Sequence, residues 1–408
     1  MTPLTEKFTF QSPQGHSLAG RLDSPLIGQP RAYAVFAHCF SCSKDLSAVR
    51  RIVSRLTEAG IAVLRFDFTG LGHSEGEFAN SHFQANIADL DAAIEAMNVV
   101  GKAPSLLIGH SLGGAAVLCA AAAHAQIRAV ATIGAPFDPA HALDNIAEDI
   151  SDLDPEACVE VSLGGRPFRI DRDFVTGMQT GKMAEAAASL RAALLVLHSP
   201  IDATVGIDHA SQIFLQAKHP KAFIGLDTAD HLLTKAQDAA FVGDTIATWA
   251  ARYIDLLAPE TVEARGQVVV TSTGLGKFQQ HVLAGGHVLT ADEPKSYGGF
   301  DSGPAPYDFL MAGLGACTNM TLAMYAERKG LPLEGVTVAL DHGKIHAKDC
   351  EDCETKSGKI DHIKRTLTIE GDQLTPEQRQ RLLEIADMCP VHRSLHSEFH
   401  IETELVQA

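Results

Sequence analysis

The sequence predicts two domains, a doubly wound α/β sheet with a small cap followed by a separate α+β domain. Three observations lead to this prediction. The chain has 408 residues, more than one ordinary domain. Short apolar runs alternate with amphipathic stretches in its first part, and strands and helices are instead grouped together after about residue 266. We place the boundary in "APETVEARG", which gives domains at residues 1–257 and 258–408.

Six apolar runs predict buried parallel strands in the first domain, at residues 32–38, 62–68, 105–110, 130–136, 193–199 and 222–227. The amphipathic stretch "LSAVRRIVSRLTEAG" predicts a helix that ends at Gly60, since glycine often follows a helix end. Residues 137–190 interrupt the alternation, and "VEVSLGGRPFRI" within them predicts a hairpin. We therefore expect residues 137–190 to form a cap between two strands.

The second domain is predicted to group its strands before and after its helices. The runs "QVVVTSTG", "FQQHVLAG" and "HVLTADE" predict three strands. Further along we expect helices at 307–330 and 375–388 and strands at 335–346, 362–370 and 398–405.

Composition and charge exclude several classes of partner. The net charge of −17 argues against binding to nucleic acid or to an anionic membrane surface. No apolar run approaches the roughly 20 residues of a membrane helix, and the N-terminus does not look like a signal peptide. Eight cysteines are too few for a disulfide scaffold. We expect a cytoplasmic protein with reduced thiols, without a cofactor.

The stretch "GHSLGG" predicts a nucleophilic serine, Ser111, because an apolar strand precedes it and an alanine-rich helix follows. A serine hydroxyl needs a base, and the base needs an orienting carboxylate. Asp202 follows a predicted strand and His231 follows the last one, in the order expected of this elbow. Asp227 and Asp230 are alternatives to Asp202, which we favour.

The first domain, over residues 5–256, resembles the α/β-hydrolase superfamily in "AHCFSCSKD", "RFDFTGLGHSEG", "IGHSLGG", "HSPIDATV" and "DHLL". The resemblance implies an eight-stranded sheet and cleavage of a carboxylic ester or related acyl bond through an acyl-enzyme. It also implies an oxyanion hole formed by the N–H groups of Leu112 and Phe40.

The loop around Phe40 carries Cys39 and Cys42 where many hydrolases have glycine. Their spacing is also that of a thiol redox pair, which usually lies where a helix N-terminus activates the first thiol. We favour small residues that shape the oxyanion loop, and a redox role remains the alternative.

Residues 266–406 resemble the osmotically inducible protein C/organic hydroperoxide resistance (OsmC/Ohr) family in "ADEP", "GGFDSGPAPYDFLMAGLGACT" and "IADMCPVHRSL". The resemblance implies an intertwined homodimer in which Cys317 is the peroxidatic thiol and Cys389 resolves it. Such a domain reduces organic hydroperoxides with a thiol reductant. The alternative from the residues alone is two buried structural cysteines.

The second domain departs from the peroxidase pattern, which activates the thiolate with an arginine held by a glutamate. The acidic position aligns with Tyr307, beside Asp308, and the preceding loop offers Lys295 but no arginine. Arg328 and Arg393 remain as substitutes if the fold brings them close. The rival interpretation is an esterase whose second domain serves only dimerisation or ligand binding.

A last cluster joins His342 and His346, on one face of a predicted strand, to Cys350 and Cys353. Cysteine and histidine at such spacings can bind zinc. The segment is charged and its spacing is irregular, so we favour a solvated hairpin and expect no metal. The sequence thus predicts a serine hydrolase fused to a thiol domain, with both sites acting on one substrate stream as a hypothesis.

Overall fold

The chain divides into two compact units, Met1–Glu263 and Ala264–Ala408. The computed structural model describes residues 3–39, 43–76, 83–137, 159–163, 166–170, 181–256, 268–285, 287–347 and 357–405. The expected boundary at 257/258 and the observed division both fall in a stretch outside these residues.

The first unit is built on an eight-stranded sheet in the order β1-β2-β4-β3-β5-β6-β9-β10. Its strands are β1 (Leu4–Gln11), β2 (Ser17–Ser24), β3 (Ala32–Ala37), β4 (Ile61–Phe66), β5 (Leu106–His110), β6 (Ala129–Ile133), β9 (Ala193–His198) and β10 (Lys221–Gly225). β1 and β2 form an antiparallel hairpin, and β2 pairs antiparallel with β4. The remaining strands, β4, β3, β5, β6, β9 and β10, run parallel to one another. The six predicted strands are confirmed. β1 was not predicted from the residue pattern because it is a largely exposed edge strand without an apolar run.

Helices cover both faces of this sheet, namely α1 (Ser47–Glu58), α2 (Phe83–Val99), α3 (Leu112–Ala121), α4 (Gly181–Ser189), α5 (Ile207–Gln216) and α6 (Ala236–Ala250). Alternate residues of one strand point to opposite faces. Val35 of β3 accordingly joins the core under α2 and α3, whereas Phe36 joins the core under α1 and α6. The carboxyl ends of the parallel strands are therefore held rigidly between two packed layers.

The expected cap is described only in part. β7 (Val159–Leu163) and β8 (Arg166–Ile170) pair antiparallel, which confirms the hairpin predicted there. The rest of residues 138–180 lies outside the described residues.

The second unit contains a three-stranded antiparallel sheet, a long helix and a two-stranded ribbon. Its elements are β11 (Val268–Ser272), β12 (Gln280–Ala284), β13 (His287–Ala291), α7 (Pro306–Lys329), β14 (Gly335–His346), β15 (Lys359–Glu370), α8 (Pro376–Ala386) and α9 (Pro390–Leu395). The strand expected at residues 398–405 is wrong: those residues follow α9 without a strand partner in the described part of the chain.

Little of the second unit is buried. Its core is a cluster of Leu322, Leu374, Leu382, Ile385 and Ala386, and no residue of β14 or β15 is fully buried. A two-stranded ribbon is at best marginally stable without a partner surface. The described residues of this unit therefore leave apolar side chains of the unit exposed.

Helix α7 is long and apolar enough to cross a membrane by length and composition, with a mean hydropathy of 1.3 over its most apolar window. The expectation that no segment reaches such a length is wrong for α7, because its alanine, methionine and leucine residues are interrupted by few charges. Core helices pass the same test. One third of that window, 33%, is buried inside the second unit.

Candidate active sites

Ser111 lies on a strained turn between β5 and α3. Its φ of 55° is unusual for a residue with a side chain, and it occupies the N-cap of α3. The turn is possible because of the two flanking glycines. A Cβ at Gly109 would lie 2.3 Å from the carbonyl oxygen of Gly113, and a Cβ at Gly113 would lie 2.3 Å from that of Ala37. The spacing of glycine, serine and glycine is thus a steric requirement of this turn.

Three predicted residues form one hydrogen-bonded chain. His231 Nε2 lies 3.0 Å from Ser111 Oγ, and His231 Nδ1 lies 2.7 Å from Asp202 Oδ2. The second carboxylate oxygen of Asp202 accepts the backbone N–H groups of Thr204 at 2.8 Å and Val205 at 2.9 Å. The carboxylate is fixed by its own loop and leaves one oxygen for the imidazole.

The charge on Asp202 sets the tautomer of His231. Burial alone raises the pKa of Asp202, but the hydrogen bond from His231 and those from Val205 and Thr204 outweigh it and hold this pKa below its usual value. An ionised carboxylate only accepts hydrogen bonds. Nδ1 of His231 therefore carries the proton, and Nε2 is free to accept the proton of Ser111.

The rival acids lie elsewhere. Asp230 uses its carboxylate on its own turn, where it accepts the backbone N–H groups of Leu232 at 3.0 Å and Thr234 at 3.1 Å. Asp227 is exposed after β10. Neither of these carboxylates is the one that meets His231.

Two further residues lie next to the hydrogen-bonded series Ser111–His231–Asp202. Neither was assigned a role from the sequence. His110 is buried and its pKa is lowered to about 3, by burial first and then by the neighbouring His231. As a neutral imidazole it donates from Nε2 to the backbone carbonyl of His231 at 2.7 Å. Gly134 (φ 55°) follows β6, and a Cβ there would lie 3.4 Å from both Asp202 Oδ2 and His231 Nδ1. His110 thus fixes the backbone of His231.

The expected oxyanion donors are described only in part. Leu112 is the first residue of α3, where backbone N–H groups have no acceptor within the helix. Phe40 lies outside the described residues, as does Cys42.

Both ends of the loop that carries Phe40 are tied to Asp67, at the end of β4. Asp67 accepts the backbone N–H of Lys44 at 2.7 Å and its ammonium at 2.5 Å, and His38 Nε2 lies 3.5 Å away. The backbone N–H of His73 adds a contact at 3.0 Å. Gly72 is required beside it, since a Cβ there would lie 2.2 Å from Asp67 Oδ2. One buried carboxylate thus anchors the Lys44 flank of this loop by two hydrogen bonds and lies close to its His38 flank.

Cys39 is buried and engaged in a disulfide. Its partner is not among the described residues, where Cys119, Cys317 and Cys389 form no disulfide. The expectation of reduced thiols is therefore wrong for Cys39.

The two predicted thiols of the second unit differ in exposure. Cys317 is half-buried on α7, on the same helical face as the exposed Leu310 and Met324. Cys389 is fully buried at the N-cap of α9, where Sγ accepts the backbone N–H of His392 at 3.3 Å. Sγ also lies 3.6 Å from Thr318 Oγ1, one residue after Cys317 on α7.

The arginine that approaches these thiols is Arg365 on β15. Its guanidinium donates to Thr318 Oγ1 at 3.1 Å and to the carbonyl of Ala386 at 3.1 Å. The sequence had suggested Arg328 or Arg393 as the arginine near the thiols. Neither takes that place, because Arg328 lies in the last turn of α7 and Arg393 is exposed on α9. The signal in the sequence was an arginine at an inward position of a strand, between Ile363 and Leu367.

The residues at the aligned acidic position have other partners. Asp308 caps α7 by accepting the backbone N–H of Ala305 at 2.8 Å. Tyr307 stacks on His342 with ring centroids 4.1 Å apart. His342 also contacts Asp361 at 3.0 Å, and His346 is exposed on the same strand. Cys350 and Cys353 lie outside the described residues, within which no cluster of metal-binding side chains is present.

Comparison with known families divides the chain as the geometry does. The profile of the family described as "Serine aminopeptidase, S33" matches residues 28–175, and that of the "OsmC-like protein" family matches residues 299–404.

Individual relatives match the first unit. The esterase domain of a Rhodothermus marinus protein is 46% identical, with a TM-score of 0.52 over 61% of this chain and 99% of that one. A monoacylglycerol lipase from Mycolicibacterium smegmatis is 24% identical over 55% of this chain and 90% of its own. A human mitochondrial palmitoyl-protein thioesterase is 31% identical over 35% of this chain and 43% of its own.

Replacing Asp67 with asparagine is expected to lower the free energy of unfolding of the first unit by about 3–5 kcal/mol, because it leaves the buried Lys44 without its close, buried counter-charge. Burial raises the pKa of Asp67, but contacts from His38 and Lys44 outweigh it and hold the pKa well below its usual range. The stabilisation is therefore present above the ordinary carboxyl pKa of about 3.9 and is lost as the pH falls through the lower folded value.

Urea unfolding of wild type and Asp67→Asn from pH 7 down to pH 3 measures the cost of the substitution and the onset of the acid-dependent loss in wild type. Asp45→Asn is the matched control, since Asp45 also contacts Lys44, at 3.7 Å, but is 34% exposed. Equal losses in the two variants would contradict the anchoring role of Asp67.

Proposed function

Because the chain belongs to the α/β-hydrolase family of esterases and continues into an OsmC-like domain, we propose that its first domain is a serine hydrolase acting on carboxylic esters or related acyl bonds. The observation that carries this proposal is the chain of hydrogen bonds from Ser111 through His231 to Asp202. The relatives support the substrate class, since they are named as an esterase, a lipase and a thioesterase.

In the proposed reaction His231 Nε2 takes the proton of Ser111 while Oγ attacks the carbonyl carbon of the ester. Asp202 stabilises the imidazolium that forms. The backbone N–H of Leu112, at the positive end of α3, faces the developing oxyanion, with Phe40 as the expected second donor. His231 then protonates the leaving alcohol, and a water molecule activated by the same imidazole releases the acid from Ser111.

Ser111→Ala is expected to reduce hydrolysis of p-nitrophenyl esters to background, a loss of about 10⁶-fold in kcat, because no nucleophile remains. Asp202→Asn should lose about 10⁴-fold, since it favours the wrong tautomer of His231. Asp227→Asn is the matched control and should retain activity. Initial rates with thermal unfolding curves check all three. Residual Ser111→Ala activity near that of wild type would refute the assignment.

We propose that the second domain reduces organic hydroperoxides, with Cys317 as the attacking thiol and Cys389 as the resolving one. Their exposures support this order, because a peroxide can reach the half-buried Cys317 but not the fully buried Cys389. Arg365, which donates to the Thr318 hydroxyl next to Cys317, also lines a cavity of about 320 Å³ whose partly apolar walls suit an organic substituent. It is lined by Leu314, Ile345, Ile360, Ile363, Leu395, Asp361, His362, Arg365, His392 and His396.

Turnover in this proposal needs a thiol reductant, which the cytoplasmic location that we propose supplies. Reduced protein is expected to consume cumene hydroperoxide with a dithiol as electron donor, and Cys317→Ser to lose that turnover entirely. Cys119→Ser, which removes a thiol of the first domain, should leave the rate unchanged. No consumption by wild type with several thiol donors would favour the rival function, a domain for dimerisation or ligand binding.

We also propose that the second domain forms a homodimer. Three observations support a second copy as the occupant of its open surface: the small core, the unburied ribbon of β14 and β15, and a C-terminal segment that has the alternation of a strand but pairs with none of the described strands. In that segment Phe399, Ile401 and Leu405 are 60%, 83% and 96% exposed. Met320 and Met324 on α7 are 65% and 70% exposed.

The double substitution of Met320 and Met324 by glutamate is expected to convert a dimer of about twice 43.4 kDa into a monomer, because it places charges on the apolar face of α7. Light scattering after size exclusion measures the mass. Leu215→Glu is the matched control, at a residue 76% exposed on α5 of the first domain. A wild-type mass of 43.4 kDa would exclude the dimer.

A further inference from the structure

We propose that Arg365 is a positioning residue of the thiol pair, which holds Cys389 ready to form a disulfide with Cys317. This inference rests on the proposed thiol chemistry of the second domain. It assigns to an arginine of β15 a role in the second, disulfide-forming step rather than in the attack on the peroxide.

Arg365 and Cys389 share two acceptors. The guanidinium of Arg365 donates to Thr318 Oγ1 at 3.1 Å, and Cys389 Sγ lies 3.6 Å from the same oxygen. The guanidinium also donates to the carbonyl of Ala386 at 3.1 Å, which accepts the backbone N–H of Cys389 at 3.5 Å. Arg365 thus connects the α7 turn that carries Cys317 to the turn that carries Cys389. One connection runs through the Thr318 hydroxyl next to Cys389 Sγ, and the other runs through the Ala386 carbonyl that accepts the Cys389 N–H.

The hydroxyl of Thr318 is oriented for this connection. It donates its own proton to the carbonyl of Leu314 at 2.8 Å, one turn earlier in α7. Its lone pairs are therefore available to the guanidinium and to the thiol. Thr318 is completely buried, so that no water competes for these contacts. The hydroxyl is a fixed link between Arg365 and Cys389.

The fold alone does not account for an arginine at this place. Arg365 occupies an inward position of β15, in line with Ile363, Leu367 and Ile369, and its side chain is only 11% exposed. Burying a guanidinium is unfavourable unless hydrogen bonds and a counter-charge compensate. Its ion-pair partner Asp387 is 61% exposed and lies in the same turn as Cys389.

Charged or titratable groups line the cavity into which Arg365 projects. They are Arg365 itself with Asp361 and His362 from β15 and His392 and His396 from α9, and Asp387 from the turn after α8 pairs with Arg365. His392 is uncharged near neutral pH, because burial first, then Arg365 and His396, lower its pKa. Among these groups, Arg365 is the one that donates a hydrogen bond to Thr318 Oγ1, which contacts Cys389 Sγ.

The chemistry separates into two balanced steps. The thiolate of Cys317 attacks an oxygen of the hydroperoxide, the O–O bond breaks, and the alkoxide leaves and takes up a proton as the alcohol, giving a sulfenic acid. The thiolate of Cys389 then attacks that sulfur, the S–S bond forms, the S–O bond breaks and hydroxide leaves as water after protonation. Arg365 acts in the second step, by holding Cys389 against the turn of Cys317.

The test separates the two steps in the full-length reduced protein. After one equivalent of cumene hydroperoxide, dimedone traps sulfenic acid at Cys317, and peptide mass spectrometry quantifies the Cys317–Cys389 disulfide over time. We expect Arg365→Met and Thr318→Val to slow disulfide formation by about 10- to 100-fold, because a poorly placed reacting group loses this much rate. Sulfenic acid should accumulate in both variants, while peroxide consumption in the first turnover stays unchanged.

Conservative variants distinguish this role from a merely structural one. Thr318→Ser keeps the hydroxyl and should restore the wild-type rate. Arg379→Met is the matched control, because Arg379 is a second arginine of this domain that donates to backbone carbonyls, those of Ile369 at 2.7 Å and Gly371 at 2.6 Å. Wild-type disulfide rates in Arg365→Met and Thr318→Val, or an equal slowing in Arg379→Met, would overturn the proposal.

A second oxidant distinguishes failure of this inference from failure of the proposed peroxidase. Diamide removes two electrons and two protons from a dithiol without any hydroperoxide. If wild type consumes no hydroperoxide, the peroxidase function fails, and the diamide-driven rate of Cys317–Cys389 bonding still reports on Arg365. Dependence on Arg365 and on the Thr318 hydroxyl in that assay supports the inference, and independence refutes it.

Discussion

The close approach of backbone around Ser111 is the constraint on which the first domain depends. Strand β5 must turn sharply into α3, with Ser111 in a left-handed conformation, and the turn leaves no room for a Cβ at Gly109 or Gly113. The same crowding presses α3 against the carbonyl of Ala37 at the end of β3. The positive end of the helix, the serine hydroxyl and the start of the oxyanion loop are therefore brought together by a single steric requirement.

Around that turn the domain uses buried polar groups to position rather than to react. His110 is kept neutral and holds the backbone of His231, while Asp67 holds Lys44 next to the proposed oxyanion loop. Each is buried and bonded to a segment that carries, or adjoins, a residue of the proposed site. Buried polar groups of this kind are unfavourable unless fully bonded, so they specify one arrangement of the loops they touch. In the second domain we propose that Arg365 likewise positions a neighbouring residue, Cys389, through its hydrogen bonds to Thr318 and Ala386.

Much of this arrangement could be predicted from the sequence, and the reasons for the failures are physical. The apolar runs of the parallel strands, and the glycines around Ser111, carry strong local signals because burial and steric crowding dictate the residue types. The order of Asp202 and His231 followed from the elbow. His110, Gly134 and Arg365 escaped prediction because their roles arise from contacts between distant segments. The strand expected at 398–405 failed because a strand needs a neighbour, which alternation alone does not supply.

The small core of the second domain has a consequence for how the protein responds to dilution. In the proposed dimer, much of the apolar surface that stabilises this domain belongs to the interface, so its stability follows mass action and falls as the chain is diluted. The first domain has two extensive cores of its own, one on each face of its sheet. Its stability is independent of concentration. The abundance of the chain in a cell would then set how much thiol activity accompanies a constant ester-cleaving activity per molecule.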